Sequence, residues 1–324
     1  MHYPTDINLL LDAVRKTITL TADYTELTGI GGWRQSAYNC RQIKKAHRQT
    51  QQMKRSSSRD VIKKEKRQAE IVQAHRDYLD LARQFIGKSQ TTLAIELVDI
   101  SLTALVKTLE IQTFIKHAER QIDQIERRVI QGETIPHEEK VFSVFQPHTE
   151  WISKGKAGVP VELGLKVCVV EDTQGYLLHH QVMERQTDNQ IAIDLITETQ
   201  VRYPNLSVCS FDKGFHSPEN QIELAKRLDR VVLPKKGRCN KKEHERESSE
   251  AFKITRRTHS AVESGINALE VHGLDRCLDH GIDGFKRYVA LAIVARNIQK
   301  LGAELQKKVQ KQERRKRDRD KLVA

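Results

Sequence analysis

The hydrophobic period of this chain changes near residue 139, which excludes both a uniform helical bundle and a uniform sheet. Before that point Leu93, Leu97, Ile100 and Ala104, then Ile111, Ile115, Ala118, Ile122, Ile125 and Val129 fall on one helical stripe, broken near Lys107 and Thr108. After Lys140 the period is two: Val161, Leu163, Leu165, Val167 and Val169 alternate with Glu162, Gly164, Lys166, Cys168 and Val170. The first pattern predicts helices that bury one face. The second predicts a strand with one side more buried than the other.

In the helical part, periodicity and good helix formers predict helices over 8–25, over a long polar stretch from about 35 to 85, and over 89–131. Arg41 to Arg76 is rich in Lys and Arg, poor in apolar residues and interrupted by Ser56-Ser-Ser58. It reads either as a solvated, coiled-coil-like arm or as a segment lying along a phosphate backbone.

After the alternating run, Glu171-Asp-Thr-Gln-Gly175 predicts a hairpin turn and Tyr176 to Met183 a returning strand. Asp188-Asn189 reads as a helix N-cap, with Ile191, Leu195 and Ile196 turned inward and Pro204-Asn205 as the stop. Leu206 to Phe211 is an apolar strand ending at Asp212. Ser217-Pro218-Glu219 then supplies a cap, a proline at the first helical position and an acid in the first turn. Arg230 to Pro234 reads as a short strand, Lys235 to Arg238 as a basic loop, and the chain is charge-dense from Lys241 to Arg257. A helix from 258 to 271 and a last amphipathic helix bearing Phe285, Val289, Ala292, Ile298 and Leu305 follow. The tail beyond about Lys311, with Arg314-Arg-Lys-Arg317, has the composition of a disordered segment.

The order strand, strand, helix, strand, helix, strand, helix is α/β, with an antiparallel hairpin leading into crossover units. The fold expected is an RNase H-like mixed sheet with flanking helices, preceded by a long all-helical region. The expected domains are a helical region over 1–139, a catalytic domain over 140–305 and a basic tail over 306–324.

Composition narrows the function. The 324 residues carry a formal net charge of +12, with 38% hydrophobic and 30% charged residues, which favours polyanionic partners. No run has the ~18 to 20 apolar residues of a membrane span, and the N-terminus lacks a signal pattern, so a cytoplasmic protein is expected. The five cysteines are scattered without metal-ligand spacing, which predicts reduced thiols and no zinc site. Cys168 and Cys209 fall within strands, where cysteine acts as a small hydrophobe.

Asp212 stands at a strand end and Glu263 on a later helix, the arrangement in which two distant elements converge on one cation. In a basic chain that pairing points to metal-dependent nucleic-acid cleavage. Oxygen ligands suit Mg2+ or Mn2+.

At these residues the chain resembles bacterial insertion-sequence transposases with a DDE active site. Asp212-Lys-Gly-Phe-His-Ser217 is similar to the second-aspartate motif of that family, and Ala261-Val-Glu-Ser264 to its glutamate motif. Glu150-Trp-Ile-Ser-Lys-Gly-Lys156, Val161-Glu-Leu-Gly-Leu165 and His272-Gly-Leu-Asp-Arg276 agree with it. The resemblance runs over about residues 1–305, is most specific over 140–300 and is closest to the ISNCY-type group.

What it implies is strand cleavage and transfer at terminal repeats and target DNA, by a nucleoid-associated homo-oligomer, with Asp212 and Glu263 as catalytic metal ligands. Around Glu263 the sequence departs from the tyrosine, arginine, glutamate and lysine spacing of related transposases, having His259 four before it and Glu270 seven after. Phosphate contacts are therefore assigned to Lys213, Lys235, Lys236, Arg238, Arg256 and Arg257. The family's first aspartate sits on an opening strand, shortly before a segment like His2-Tyr-Pro-Thr-Asp6. The resemblance thus implies a chain truncated at that strand and defective, with residues 7–139 inserted between the first and second strands. Asp6, Asp172 and Asp188 are the nearest substitute acids; Asp172 fits a hairpin turn and Asp188 a helix cap. The alternative is a non-catalytic remnant that binds DNA or an intact transposase.

Overall fold

A computed structural model describes residues 4–53, 60–97, 99–153 and 160–323, with side chains described as far as 318. Ser56 to Ser58, His2-Tyr3 and Lys154 to Lys156 lie outside the described residues. The chain divides into two compact units, Met1–Thr149 and Glu150–Ala324.

In the first unit, the Thr5 hydroxyl accepts the Asn8 N–H at 3.3 Å to start α1 (Asp6–Thr28), and Gly29, at φ 75°, ends it. The polar stretch expected as one helix is two: α2 (Ser36–Gln52) and α3 (Val61–Leu93), the latter started by the Asp60 carboxylate, which accepts from Ile62 and Lys63. α4 (Leu102–Ile125) is capped by Ser101 and runs into a π turn, Glu126–Ile130. The apolar stripe therefore begins at Ala104. Leu93 ends α3, and Ile100, before the cap, is 45% exposed.

Leu10, Val14, Ile18 and Tyr24 of α1 meet Tyr78, Leu79 and Ala82 of α3 and Ile111, Ile115 and Ile125 of α4 in one core. Several polar groups within it are paired, whereas the amide of Gln121 on α4 is buried with neither its nitrogen nor its oxygen hydrogen-bonded. His47 and Gln51 both meet the Asn8 Oδ1, at 2.8 and 2.7 Å, Trp33 Nε1 donates to Thr92 Oγ1 at 2.9 Å, and Thr21 donates to Ser89 at 3.1 Å. On α2 the face bearing Ile43, His47 and Thr50 is buried, and Arg41, Lys44, Lys45 and Arg48 are exposed.

The second unit is mixed α/β. β1 (Glu150–Ser153) pairs antiparallel with β2 (Val161–Gly164), and β3 (Lys166–Glu171) pairs antiparallel with β4 (Leu177–Met183). The alternating run is thus two strands, not one. The hairpin is closed by Asp172, whose Oδ1 accepts from Gln174 at 2.9 Å and Tyr176 at 2.8 Å, with Gly175 at φ 85°. α5 (Asp188–Arg202), β5 (Val208–Ser210), α6 (Pro218–Arg227) and β6 (Arg230–Val232) follow, β5 pairing parallel with β6 across the α6 crossover.

One mixed sheet was the expectation; among the described residues there are three separate two-stranded ladders. β5 and β6 have three residues each, and no ladder joins β3 to β5. Local pattern sets each strand, but joining pairs into a sheet needs a strand that hydrogen-bonds on both edges.

α7 (Lys241–Ser248) and α8 (Glu250–Leu269) come next, so the charge-dense stretch is helical and the helix bearing Glu263 starts well before residue 258. A capping box, Asn240 with Glu243, starts α7. α9 (Gly281–Val323) packs Val289 and Ile293 against Leu177 and Leu269. Asn297 pairs with both backbone groups of Leu177, each at 2.9 Å. α9 continues through Arg314 to Arg317, where composition suggests a disordered tail. Lys, Arg, Gln and Glu are good helix formers, and every described side chain beyond Glu304 is exposed.

Candidate active site

The Asp212 turn is held from three sides. The β5–β6 ladder is extended by Phe211 N–H donating to the Val232 carbonyl at 2.9 Å, so Asp212 is the first residue past the pairing. Phe211 is buried in the cluster of Ala192, Ile196, Leu224, Leu228 and Leu233, and its ring lies 5.7 Å from that of Phe215 across the turn. Asn220 then ties the turn to α5, its Nδ2 donating to the Phe215 and Asn189 carbonyls at 2.8 and 2.7 Å. Ser217 caps α6, as expected, by accepting from Asn220 N–H at 3.0 Å. The Asp212 side chain itself is 80% exposed. A fixed backbone thus presents a solvent-facing carboxylate, the condition a metal ligand on a turn needs.

α8 brings the second element. Ser249 caps it, Phe252 anchors its first turn, and Gly265 and Leu269 are buried further along. His259 Nε2 lies 3.4 Å from Asp212 Oδ1, so this helix meets the Asp212 turn one helical turn before Glu263. Residues four apart share a helix face. Glu263 is exposed on the face that carries His259. Composition and motif named Asp212 and Glu263; the His259 contact was missed, because its four-residue spacing from Glu263 puts both on one helix face without saying which turn that face meets.

Asp188 is also not where the sequence reading put it. The cap of α5 is Thr187, in a capping box in which the Gln190 side chain accepts the Thr187 N–H at 2.8 Å. Thr187-x-x-Gln190 was the legible signal. Asp188, in the first turn, lies against the Asp212 turn: a Cβ on Gly214 would collide with its Oδ2. Burial pushes the Cys168 thiol up to about 12, with Asp188, Cys209 and Asp212 adding to the rise, so β3 also faces this corner. Burial pushes Cys209 up to about 12 as well. All five cysteines are free.

The other acids are engaged elsewhere. Asp6 accepts from Arg128 Nε at 2.7 Å within the helical unit, and Asp172 closes the hairpin. Glu171 packs its Oε2 against Gly265 of α8, where burial pushes its carboxyl above the ordinary range against the pull of Arg296 and Lys300.

Of the basic residues assigned to phosphate, Lys213 stands exposed beside Asp212, and Lys236, Arg238, Arg256 and Arg257 are exposed. Lys235 is half-buried. Its ammonium is paired with Glu243, and its backbone N–H donates to Glu247 at 2.7 Å.

Residues 113–298, more than half of the chain, match the family model of the transposase DDE domain. The chain belongs to that family. None of the curated proteins compared with it matches, and no solved structure does. The matched span of the transposase domain holds the Asp212 turn and all of α8, and its start lies within α4. Transposition and recombination of DNA are the work of this family, which implies DNA binding, and its DDE domains generally use divalent metal ions. Among the described residues no group of three or more His, Cys, Asp or Glu side chains is drawn together as a metal cage, and no helix is long and apolar enough to cross a membrane.

Proposed function

We propose that the chain is an insertion-sequence transposase of the ISNCY type, whose Asp212 and Glu263 hold Mg2+ or Mn2+ against DNA phosphate. The observation that carries this reading is the approach of α8 to the Asp212 turn, with His259 at 3.4 Å from Asp212 and Glu263 one turn further on. The donor set fits such an ion: an exposed carboxylate on a braced turn, and a second exposed carboxylate on a helix that reaches that turn.

A divalent ion held there supplies Lewis acidity and lowers the pKa of bound water. The residues of the chain bind and orient. Asp212 and Glu263 would hold the ion, which would supply positive charge to the scissile phosphate, and Lys213, Arg256 and Arg257 offset phosphate charge from exposed positions, Lys213 adjoining Asp212 and the two arginines on the helix that carries Glu263. Lys236 and Arg238 extend the basic surface, with Lys235 braced beneath them by Glu243 and Glu247. Catalysis of this kind rests on positioning and charge neutralisation.

The antiparallel β3–β4 hairpin followed by α5 and the parallel β5–β6 pair across α6 has the element order of an RNase H-like domain, which supports that reading. Two carboxylates by themselves hold such an ion weakly, so the site as described is expected to cleave little. Leu291, Val294, Ile298, Leu301 and Leu305 form an exposed apolar row on α9, spaced three and four residues apart. That repeat supports a homo-oligomer formed by helix pairing.

The test uses the purified full chain, Mg2+ or Mn2+, and duplex DNA carrying the terminal repeat of the element. The expected result is binding that weakens with a log–log salt slope of about −0.9 per neutralised phosphate, and little cleavage. No binding at low salt sinks the transposase reading. Efficient metal-dependent cleavage that Asp212→Ala abolishes overturns the expectation of little cleavage and keeps the role of Asp212. Binding that survives Asp212→Ala and Glu263→Ala, in a chain that takes up no ion, favours the non-catalytic DNA-binding remnant.

A further inference from the structure

We infer that the exposed face of α2 is a further binding site for the phosphate backbone of duplex DNA, built from Arg41, Lys44, Lys45 and Arg48. The inference rests on the proposed reading of the chain as a DNA-binding protein. It adds a grip in the helical unit, outside the residues 113–298 that match the transposase domain.

Sequence and packing together single out α2. No Asp or Glu occurs anywhere between Glu26 and Asp60, although the chain holds 43 acids in 324 residues. At 3.6 residues per turn, positions 41, 44, 45 and 48 fall within an arc of about 100°. All four side chains are exposed, and no ion pair or hydrogen bond among the described residues engages them. The opposite face is fixed. Ile43, His47 and Thr50 are buried, and His47 meets Asn8 at 2.8 Å. The backbone behind the cations is therefore ordered before a ligand arrives, which lowers the entropy cost of binding.

α3 shows the contrasting case of a solvated charge run. Its Lys63, Lys64, Lys66 and Arg67 are interleaved with Glu65 and Glu70, Lys63 standing 3.9 Å from Asp60 and Arg67 2.9 Å from Glu70. Acids stand among the cations of α3, whereas α2 has none and leaves its charge for an anion from outside.

Spacing and composition choose that anion. Arg41 to Arg48 spans about 10 Å of helix axis, the rise of about three phosphates of one DNA strand at ~3.4 Å each. Tyr38 and Gln49 are exposed on the same arc and are neutral donors of the kind phosphate oxygens accept. Docking on an anionic membrane needs apolar side chains free to insert, and Ile43 of α2 is in the core. Phosphate contacts carry no sequence information, so this grip should hold different duplexes alike.

The experiment follows binding of the full chain to a terminal-repeat duplex and to a scrambled duplex, by fluorescence anisotropy across a salt series. In the combined variant Arg41→Gln, Lys44→Gln, Lys45→Gln and Arg48→Gln the log–log salt slope should become shallower by about 3 to 4, at about 0.9 per phosphate. Affinity at ~0.1 M salt should fall about a hundredfold on both duplexes. Lys63→Gln, Lys64→Gln, Lys66→Gln and Arg67→Gln, which together remove the same charge from α3, should cost less than about tenfold. Lysine acetylation read by mass spectrometry gives the place directly: DNA should protect Lys44 and Lys45 of the unaltered chain and leave Lys63 and Lys64 reactive. If circular dichroism shows that the α2 variant does not fold, this protection decides. Equal losses in the two variants, or no protection of Lys44 and Lys45 in a chain that binds DNA, overturns the inference and leaves the contacts of the second unit standing. A loss confined to the terminal repeat overturns the backbone grip, and tighter binding of a duplex RNA competitor overturns DNA as its occupant. No binding to either duplex sinks the transposase reading, and the inference with it.

Discussion

Residues 4–149 bury their apolar stripes in one continuous core around α1 and α4, whereas residues 150–323 divide theirs between two small clusters, one under β5, α5 and α6 and one under β4, α8 and α9. Polar side chains inside the helical core pair with one another in the Asn8, His47 and Gln51 group. In the second unit side-chain hydrogen bonds hold backbone turns and strand ends instead: Asn220 the Phe215 turn beside Asp212, Asn297 the start of β4, Asp172 the hairpin. One region is organised for packing, the other for holding a few side chains in place over a thin core. Active sites are commonly carried by regions of lower local stability.

The largest effect expected from this difference is in core truncation. Ile18 and Ile196 are both fully buried, Ile18 in the continuous core and Ile196 in the small cluster under β5. Ile18→Ala should cost about 3 to 5 kcal/mol, because the surrounding helices cannot collapse onto the cavity, and Ile196→Ala nearer 2 kcal/mol, because a thin cluster relaxes. Urea unfolding followed by circular dichroism measures both. Equal losses would break the comparison.

The sequence made the local elements legible and left their assembly open. Alternation marked the β3–β4 hairpin, Pro218 and Ser217 marked the start of α6, and the apolar run before Asp212 marked β5. Ser101 was not read as a cap, so the stripe was carried back to Leu93 across a helix break. The density of charge from 241 to 257 hid a helix, although Asn240 and Glu243 form a capping box there. For the site, Asp212 and Glu263 were readable from motif. That His259 reaches Asp212, that Asp188 lies on Gly214 and that Glu243 pairs with Lys235 depend on tertiary approach, which no local spacing encodes.

A middle-sized effect concerns pH, and it should reach both units with the same sign. Burial lowers the pKa of His75 and His117 in the helical unit and of His179 and His180 in the second, that of His179 despite Glu198 standing 3.2 Å from its Nε2. A histidine with a depressed folded-state pKa is neutral when folded and takes up a proton on unfolding. Its stabilisation is present above the unfolded value of about 6.5 and is lost as pH falls through the depressed folded value. The urea midpoint should therefore drop as pH is lowered from 7 towards 5, and His75→Phe should flatten that drop in the helical unit alone. A midpoint that rises on acidification would show that the buried imidazoles gain partners on protonation.

The smallest effect tests whether the second unit holds its site by local means. Ser249 caps α8 by accepting the Phe252 N–H at 3.3 Å, and α8 carries both His259 and Glu263. Ser249→Ala should cost about 1 kcal/mol. The loss should appear as faster amide exchange in the first turn of α8 and as weaker Mn2+ binding, since fraying from residue 250 loosens the helix that brings His259 to Asp212. Exchange in α1 and α4 should not change. If Ser249→Ala instead lowers protection evenly along both units, the two regions unfold as one cooperative body and the contrast between a packed core and a locally braced site does not hold.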